Sequence, residues 1–267
     1  MHNMKETISS LQNPQVKLWR SLNKSRAERV KHGLFLAEGE HMAGEALKAQ
    51  KARTLLVDER ARDKFAALAE DASAQGILVQ YVSGHVMEAL CDAKTPQGVI
   101  AVCSYPADAQ IGAADSFLVA LDGVQDPGNV GAVIRTMDAA GYTCLLMDEK
   151  TADPYSPKAL RATMGGAFRI PCVRCGDLPA QLHALAQRGY EIVAGDLGGQ
   201  DFYRRRKVRN KLCIVIGSEG QGISPPTLRE ATMRLRIPIP GQAESLNAAV
   251  AGAVMMYDFL RERLESE

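Results

Sequence analysis

Short, dense apolar runs alternate with longer amphipathic stretches along most of this chain. The first group of runs is LFLAEG (34–39), TLLVD (54–58), ILVQYV (77–82) and GVIAVC (98–103). Their length and β-branched content predict strands. Between them, residues 40–50, 60–74 and 84–91 are rich in Ala, Leu, Glu and Lys, which favour helix. Ahead of them, Ile8, Leu11, Val16, Leu18 and Leu22 recur at roughly helical spacing among basic residues, and Asn13-Pro14 predicts the start of a helix. Residues 104–116 are small, polar and proline-bearing, as a linker would be. The rhythm then resumes with FLVALDGV (117–124), YTCLLMD (142–148), YEIVAGDL (190–197), KLCIVIGSEG (211–220) and MRLRIPIP (233–240), and a last helix is predicted from about 245 to 264. Strands alternating with helices define an α/β fold with a largely buried sheet. The predicted plan is a small α/β domain at 1–106, a linker at 107–116 and a larger α/β domain at 117–267.

Composition narrows the class. The chain has 267 residues, of which 46% are hydrophobic and 24% charged, as in an ordinary globular protein. No stretch approaches the roughly 18 apolar residues of a membrane span, and the N-terminus lacks an apolar signal core. A cytoplasmic protein without a membrane partner is expected. The six cysteines are scattered, and the Cys172–Cys175 pair has no second pair to complete a zinc site. The five histidines, His2 among them, are equally dispersed, so no metal is expected and the thiols are read as free. Net charge is only +1, yet residues 1–35 carry seven basic residues, Lys5 among them, against two acidic ones, and a second cluster, RRRKVRNK, spans 204–211 and includes Arg209. Such patches suit a polyanion such as RNA, although a solvated face has the same look.

Candidate chemistry sits at three strand ends, where open parallel sheets bind ligands. In DGVQDPGNVGAVIRTMDAAG (122–141), Pro127 and Gly128 break the chain, Asn129 and Gly131 lead into a helix, and Arg135 follows six residues after Asn129. In IVIGSEGQGIS (214–224), Glu219 stands between Gly217 and Gly220, with Gly222 beyond. In IPIPGQAESLNAAVAGAV (237–254), Ser245 and Asn247 open a helix with a face of small residues. Each loop also has a plain structural explanation: a tight turn, a helix cap or a closely packed helix.

Taken together, these blocks resemble the SPOUT-class, TrmH-type RNA 2′-O-ribose methyltransferases. The resemblance rests on Pro127, Asn129, Gly131 and Arg135; on Gly217, Glu219 and Gly222; and on Ile237, Pro238, Gly241, Ser245, Leu246 and Asn247. The segment SPKALRATMGGAFRIP (156–171) is similar to a further family block, with Thr163 where serine is usual; Met137 likewise replaces an alanine. The resemblance implies a C-terminal SPOUT α/β domain with a trefoil knot, preceded by a small α/β domain related to RNA-binding ribosomal proteins. It implies a homodimer, S-adenosyl-L-methionine as cofactor, and RNA as substrate, ribosomal RNA before transfer RNA. It also implies that Gly195, Gly217, Ile237 and Leu246 hold the cofactor, while Asn129, Arg135, Glu219, Ser245 and Asn247 form the catalytic set.

In that set, Arg135 is expected to stabilise the developing 2′-alkoxide, because a guanidinium stays protonated and makes a poor base. Asn129 is expected to orient Arg135 or the ribose, and Glu219 to anchor Asn129 or Arg135. Removing residues 1–106 is expected to leave the second domain folded. Two other readings compete: an RNA-binding protein without catalysis, and an unrelated nucleotide-binding enzyme. The first sits poorly with the full catalytic set, and the second with the lack of a GxGxxG or GxxxxGK[ST] loop.

Overall fold

The structure is a computed structural model that describes residues 6–106, 110–112, 115–208 and 211–265. His2, Lys5, Arg209 and parts of the expected 107–116 linker lie outside the described residues. Two compact units emerge, one of Met1–Ala107 with Tyr155–Phe168 and one of Asp108–Pro154 with Arg169–Glu267.

The first unit opens with α1 (Pro14–Lys24) and α2 (Arg26–His32). Asn13 caps α1 by accepting the Gln15 N–H at 2.8 Å, and Pro14 takes the first helical position, where no N–H is needed. Gly33, at φ 63°, ends α2 in the left-handed region. There follow β1 (Leu34–Glu38), α3 (Glu40–Lys48), β2 (Ala52–Asp58), α4 (Ala66–Ala74), β3 (Leu78–Val82), α5 (Gly84–Leu90) and β4 (Val99–Ser104). The strands form one sheet in the order β1-β4-β2-β3, with β4 antiparallel to both neighbours and β2 parallel to β3. Helices cover both faces, so the strands read as unbroken apolar runs. Leu36, Leu56, Ile100 and Val102 pack with Val16, Trp19 and Leu22 of α1, whereas Phe35, Leu55, Val57 and Ala101 pack with Ala43, Ala46 and Ala72 of α3 and α4. Trp19 is therefore a core residue.

A late segment completes this unit. Helix α7 (Pro157–Thr163) and its flanks supply Tyr155, Leu160 and Ala167 to the same core as Phe35. Tyr155 and Phe168 lie 5.0 and 6.0 Å from the Phe35 ring. Arg161 pairs with Asp92 at 2.6 Å and stands 3.8 Å from Glu38. Sequence order assigns residues 155–168 to the larger domain; by packing they group with the first unit.

The second unit contains β5 (Phe117–Asp122), α6 (Pro127–Ala140), β6 (Cys144–Met147), β7 (Cys172–Arg174), α8 (Leu178–Gln187), β8 (Tyr190–Asp201), β9 (Lys211–Gly217), α9 (Pro225–Arg229), β10 (Met233–Arg236) and α10 (Ala248–Leu264). Its six strands are all parallel, in the order β10-β8-β9-β5-β6-β7. The chain runs outward from β5 toward β7 and then fills the other side, which puts the topological switch between β5 and β9. Val119, Leu121, Ile214 and Ile216 face α6 and α10, while Leu118, Ala120, Cys213 and Val215 face α8.

Two features depart from the sequence reading. The pairing of β10 with β8 jumps from Ala194 to Gln200, so residues 195–199 leave the ladder. The RRRK cluster is also not one surface patch. Arg205 is buried between the rings of Phe202 and Phe259 and pairs with Asp258 at 2.8 Å and Glu262 at 3.1 Å.

Candidate active site

The carboxyl ends of β8, β9 and β10 open onto one cavity of about 450 Å³. That volume lies within the range of small-molecule sites. The residues that leave the β8 ladder, Gly195, Asp196 and Leu197, form one wall. The loop Gly217–Gly222 after β9 forms another. Gly217 is required there by packing, since a Cβ on it would lie 2.1 Å from the Gly222 carbonyl carbon. The chain folds back on itself through Ser218 and Gly222, whose N–H groups bond each other's carbonyls at 3.1 and 2.9 Å. Ile237, Ile239, Glu244, Ser245 and Leu246 close the cavity from the segment between β10 and α10, with Met255 beneath.

A hydrogen-bonded chain of side chains stands at the mouth. Asn129, in the first turn of α6, donates through Nδ2 to Glu219. Asn247 donates through Nδ2 to Asn129 Oδ1 at 3.1 Å. The Asn247 Oδ1 meanwhile caps α10, accepting from the Ala249 and Val250 N–H groups at 3.0 and 3.2 Å. Asp126 caps α6 in the same way, accepting from Gly128 at 2.6 Å and Asn129 at 3.2 Å. Two helix starts and one loop are thus locked together by three side chains from distant parts of the sequence. Asp122, at the end of β5, ties in the far side of the loop by accepting the Ser224 N–H at 2.8 Å.

Of the nine site residues singled out from sequence, Gly195, Gly217, Glu219, Ile237, Ser245 and Leu246 line the cavity. Asn129 and Asn247 join Glu219 at its mouth. Arg135 stands apart. It is exposed on α6, and among the described residues its guanidinium has no hydrogen-bond or ion-pair partner. Six residues of α-helix rotate it about 240° from Asn129, so neither Asn129 nor Glu219 holds it. Of the two partners expected for Glu219, Asn129 is the one it meets, and among the described residues Arg135 is bonded to neither Asn129 nor Glu219. Sequence reasoning passed over Asp126 and Arg236. Asp126 was findable as an acidic cap ahead of Pro127, and Arg236 as the outward residue of an alternating strand that ends at the cavity.

The cavity suits a nucleoside that carries a cationic tail. Ile216, Ile223, Ile237, Ile239 and Leu246 offer apolar walls for a flat ring, and the glycine loop presents main chain for hydrogen bonding. The carboxylates of Glu219 and Glu244 and the guanidinium of Arg236 line the same space, while Asp196 is paired with Arg234 at 2.6 Å, so both a positive and a negative end of a ligand find a counter-charge there.

Comparison with known proteins agrees with this geometry. Residues 116–257 match the SpoU rRNA Methylase family, and residues 13–101 match the MRM3-like substrate binding domain. The chain is 36% identical over 251 residues to the Bacillus subtilis 23S rRNA (guanosine(2553)-2′-O)-methyltransferase RlmP, covering 94% of this chain and 97% of the relative. The AdoMet-bound rRNA methyltransferase from Sinorhizobium meliloti superposes with a TM-score of 0.81 at 32% identity, over 96% of this chain and 97% of that one. The SpoU methyltransferase AviRb from Streptomyces viridochromogenes, in complex with AdoMet, superposes with a TM-score of 0.84 at 28% identity, over 95% and 99% of the two chains.

The α/β fold and the cavity define an RNA methyltransferase that uses S-adenosylmethionine as methyl donor. The chain belongs to the SpoU rRNA methylase family.

Proposed function

We propose that this enzyme methylates a ribose 2′-hydroxyl of ribosomal RNA in the cytoplasm, working as a homodimer whose C-terminal unit forms a trefoil knot. The observation that carries the reading is the Glu219–Asn129–Asn247 chain at the mouth of the cavity. Ribosomal RNA is favoured because RlmP and the Sinorhizobium enzyme, similar over both units, are both named for it. The knot is supported by the way the segment after β10 returns across the end of β9. There Leu246 lines the same cavity as Gly217, and Asn247 meets Asn129.

A second copy answers two features of the surface. Val250, Tyr257 and Leu264 recur every seven residues on α10 and are 50%, 49% and 61% exposed, which makes a partly apolar stripe. Helix α6, whose Arg135 has no partner among the described residues, packs beside α10. In the proposed dimer Arg135 serves the partner's cavity, since it does not line the cavity of its own chain.

When bound, S-adenosylmethionine supplies an activated methyl group on a sulfonium, so the protein has to align and polarise the acceptor. The loops Gly195–Leu197 and Gly217–Gly222, with Ile237 and Leu246, hold the donor. Asn129, fixed from both sides by Glu219 and Asn247, presents its remaining polar capacity to the ribose, and Ser245 hydrogen-bonds the acceptor nucleotide. Arg135 binds the phosphate beside the target and stabilises negative charge growing on the 2′-oxygen. The hydroxyl proton leaves to phosphate or water.

The test is transfer from tritiated S-adenosylmethionine to ribosomal RNA from a strain lacking the enzyme. Label is expected in an alkali-resistant dinucleotide, because a 2′-O-methyl group blocks cleavage of the adjoining linkage. Label in ordinary mononucleotides, or in transfer RNA alone, overturns the reading.

Asn247 gives a separable check, since its two ends do different jobs. Asn247→Ala is expected to cost about 1 kcal/mol through the lost cap and to slow transfer. Asn247→Asp keeps the cap but no longer donates to Asn129, so transfer falls while the denaturant midpoint holds. Wild-type turnover in Asn247→Asp would remove the Asn129 hydrogen bond from the mechanism.

A further inference from the structure

We infer that α1, α2 and the adjoining end of the first unit's sheet form the surface that grips the phosphate backbone of the RNA, an inference that rests on the RNA reading above. Helix α1, PQVKLWRSLNK, contains no acidic residue. Val16, Trp19 and Leu22 turn into the core, which sends Lys17, Arg20 and Lys24 outward. Their spacing of three and then four residues places them on one face, along about 10 Å of helix. All three are exposed, and among the described residues none has an acidic partner.

The next elements extend the stripe. Lys31, exposed and likewise without an acidic partner among the described residues, lies in the last turn of α2, where the single acid, Glu28, faces His32 at 3.4 Å. The Gly33 carbonyl that follows accepts the Tyr105 N–H at 2.8 Å, and the Ser104 N–H donates to Lys51 O at 2.9 Å. Arg53 reaches the Ser104 hydroxyl at 2.6 Å. Lys31, Lys51 and Arg53 therefore gather where β1 and β2 begin and β4 ends. The opposite end of the same strands carries Glu38 and Asp58, with Asp92 close to Glu38, and there the arginines Arg60 and Arg161 are taken up in ion pairs. The sheet is polarised in charge from one end to the other.

A merely solvated helix face mixes signs, as α10 does where Arg261 pairs with Asp258 at 3.1 Å and Glu265 at 2.6 Å. The α1 face does not. Cations in a row without acidic neighbours match the regular charge of a nucleic-acid backbone, and such contacts fix register without reading bases. That suits a domain that docks a folded RNA by shape.

The experiment compares wild type with the triple variant Lys17→Gln/Arg20→Gln/Lys24→Gln. The probe is an unmodified transcript of large-subunit ribosomal RNA, titrated over a series of KCl concentrations. The triple variant is expected to bind at least about tenfold more weakly at low salt. Its slope of log affinity against log salt should be shallower by about two to three, one unit or slightly less for each phosphate no longer neutralised. S-adenosylmethionine affinity and melting temperature should not move. The charge-conserving variant Lys17→Arg/Lys24→Arg should keep the wild-type slope, which separates charge from altered packing. An unchanged slope and affinity in the triple variant, beside a wild type that binds the transcript, overturns this inference alone. A wild type that takes up no transcript overturns it together with the RNA reading.

Discussion

Arg135→Ala is expected to slow methyl transfer by about 10³-fold, the cost of losing one donor aimed at developing negative charge. S-adenosylmethionine affinity, measured by calorimetry, should stay within a few-fold, because Arg135 is assigned to the acceptor's phosphate and 2′-oxygen and not to the donor. The loss should show in the rate of a single turnover. Arg135 has no partner on its own chain among the described residues, which makes a sharper version available. Gly217→Val fills the space against the Gly222 backbone, where even a Cβ would lie 2.1 Å away, and should abolish donor binding. Arg135→Ala and Gly217→Val subunits should each have little or no activity as homodimers, and the two can be co-expressed. Their mixed dimer should regain activity, since one intact cavity then faces one intact arginine. Near wild-type turnover in purified Arg135→Ala would refute the mechanism. Failure of the mixed dimer, with both subunits folded and paired, would refute the exchange of Arg135 between copies.

Truncation at residue 106 should yield an aggregating or protease-sensitive protein instead of a well-behaved catalytic unit. Tyr155, Leu160, Ala167 and Phe168 would remain in the chain, but their core partners Phe35, Met42 and Leu55 would be gone. Each large apolar side chain moved back into water costs about 1.5–3 kcal/mol, and several become exposed together. Arg161 would also lose Asp92 and Glu38. A chain that lacks both 1–106 and 155–168, bridged by a short glycine linker, should instead be soluble and bind S-adenosylmethionine. Limited proteolysis and light scattering distinguish the two. A stable, protease-resistant 107–267 fragment would show that residues 155–168 need no partner from the first unit.

That contrast marks what the sequence discloses. Strands such as β5 and β9 are readable because both their faces are buried, which leaves an unbroken apolar run. The three site loops are readable because cavity walls demand glycine and because Asn247 also caps a helix, where residue choice is narrow. The destination of 155–168 is not readable. Its amphipathic pattern requires some core, yet nothing in the pattern says which. Arg205 misleads for a related reason: in a run of cations it looks solvated, and its neutralising partners Asp258 and Glu262 lie more than fifty residues onward. Arg135 takes its role from the resemblance alone, and its direction on α6 follows from helical rotation, which a motif written as a string conceals.

The late return of Tyr155–Phe168 to the first unit also bears on how the protein is made. As the chain leaves the ribosome, residues 6–104 emerge with every strand of their sheet but with Phe35 still lacking the rings of Tyr155 and Phe168. At 5–20 residues per second, the missing piece arrives about 3–13 s later. Throughout that interval the first unit lacks part of its core, so its completion waits on translation of residues 155–168.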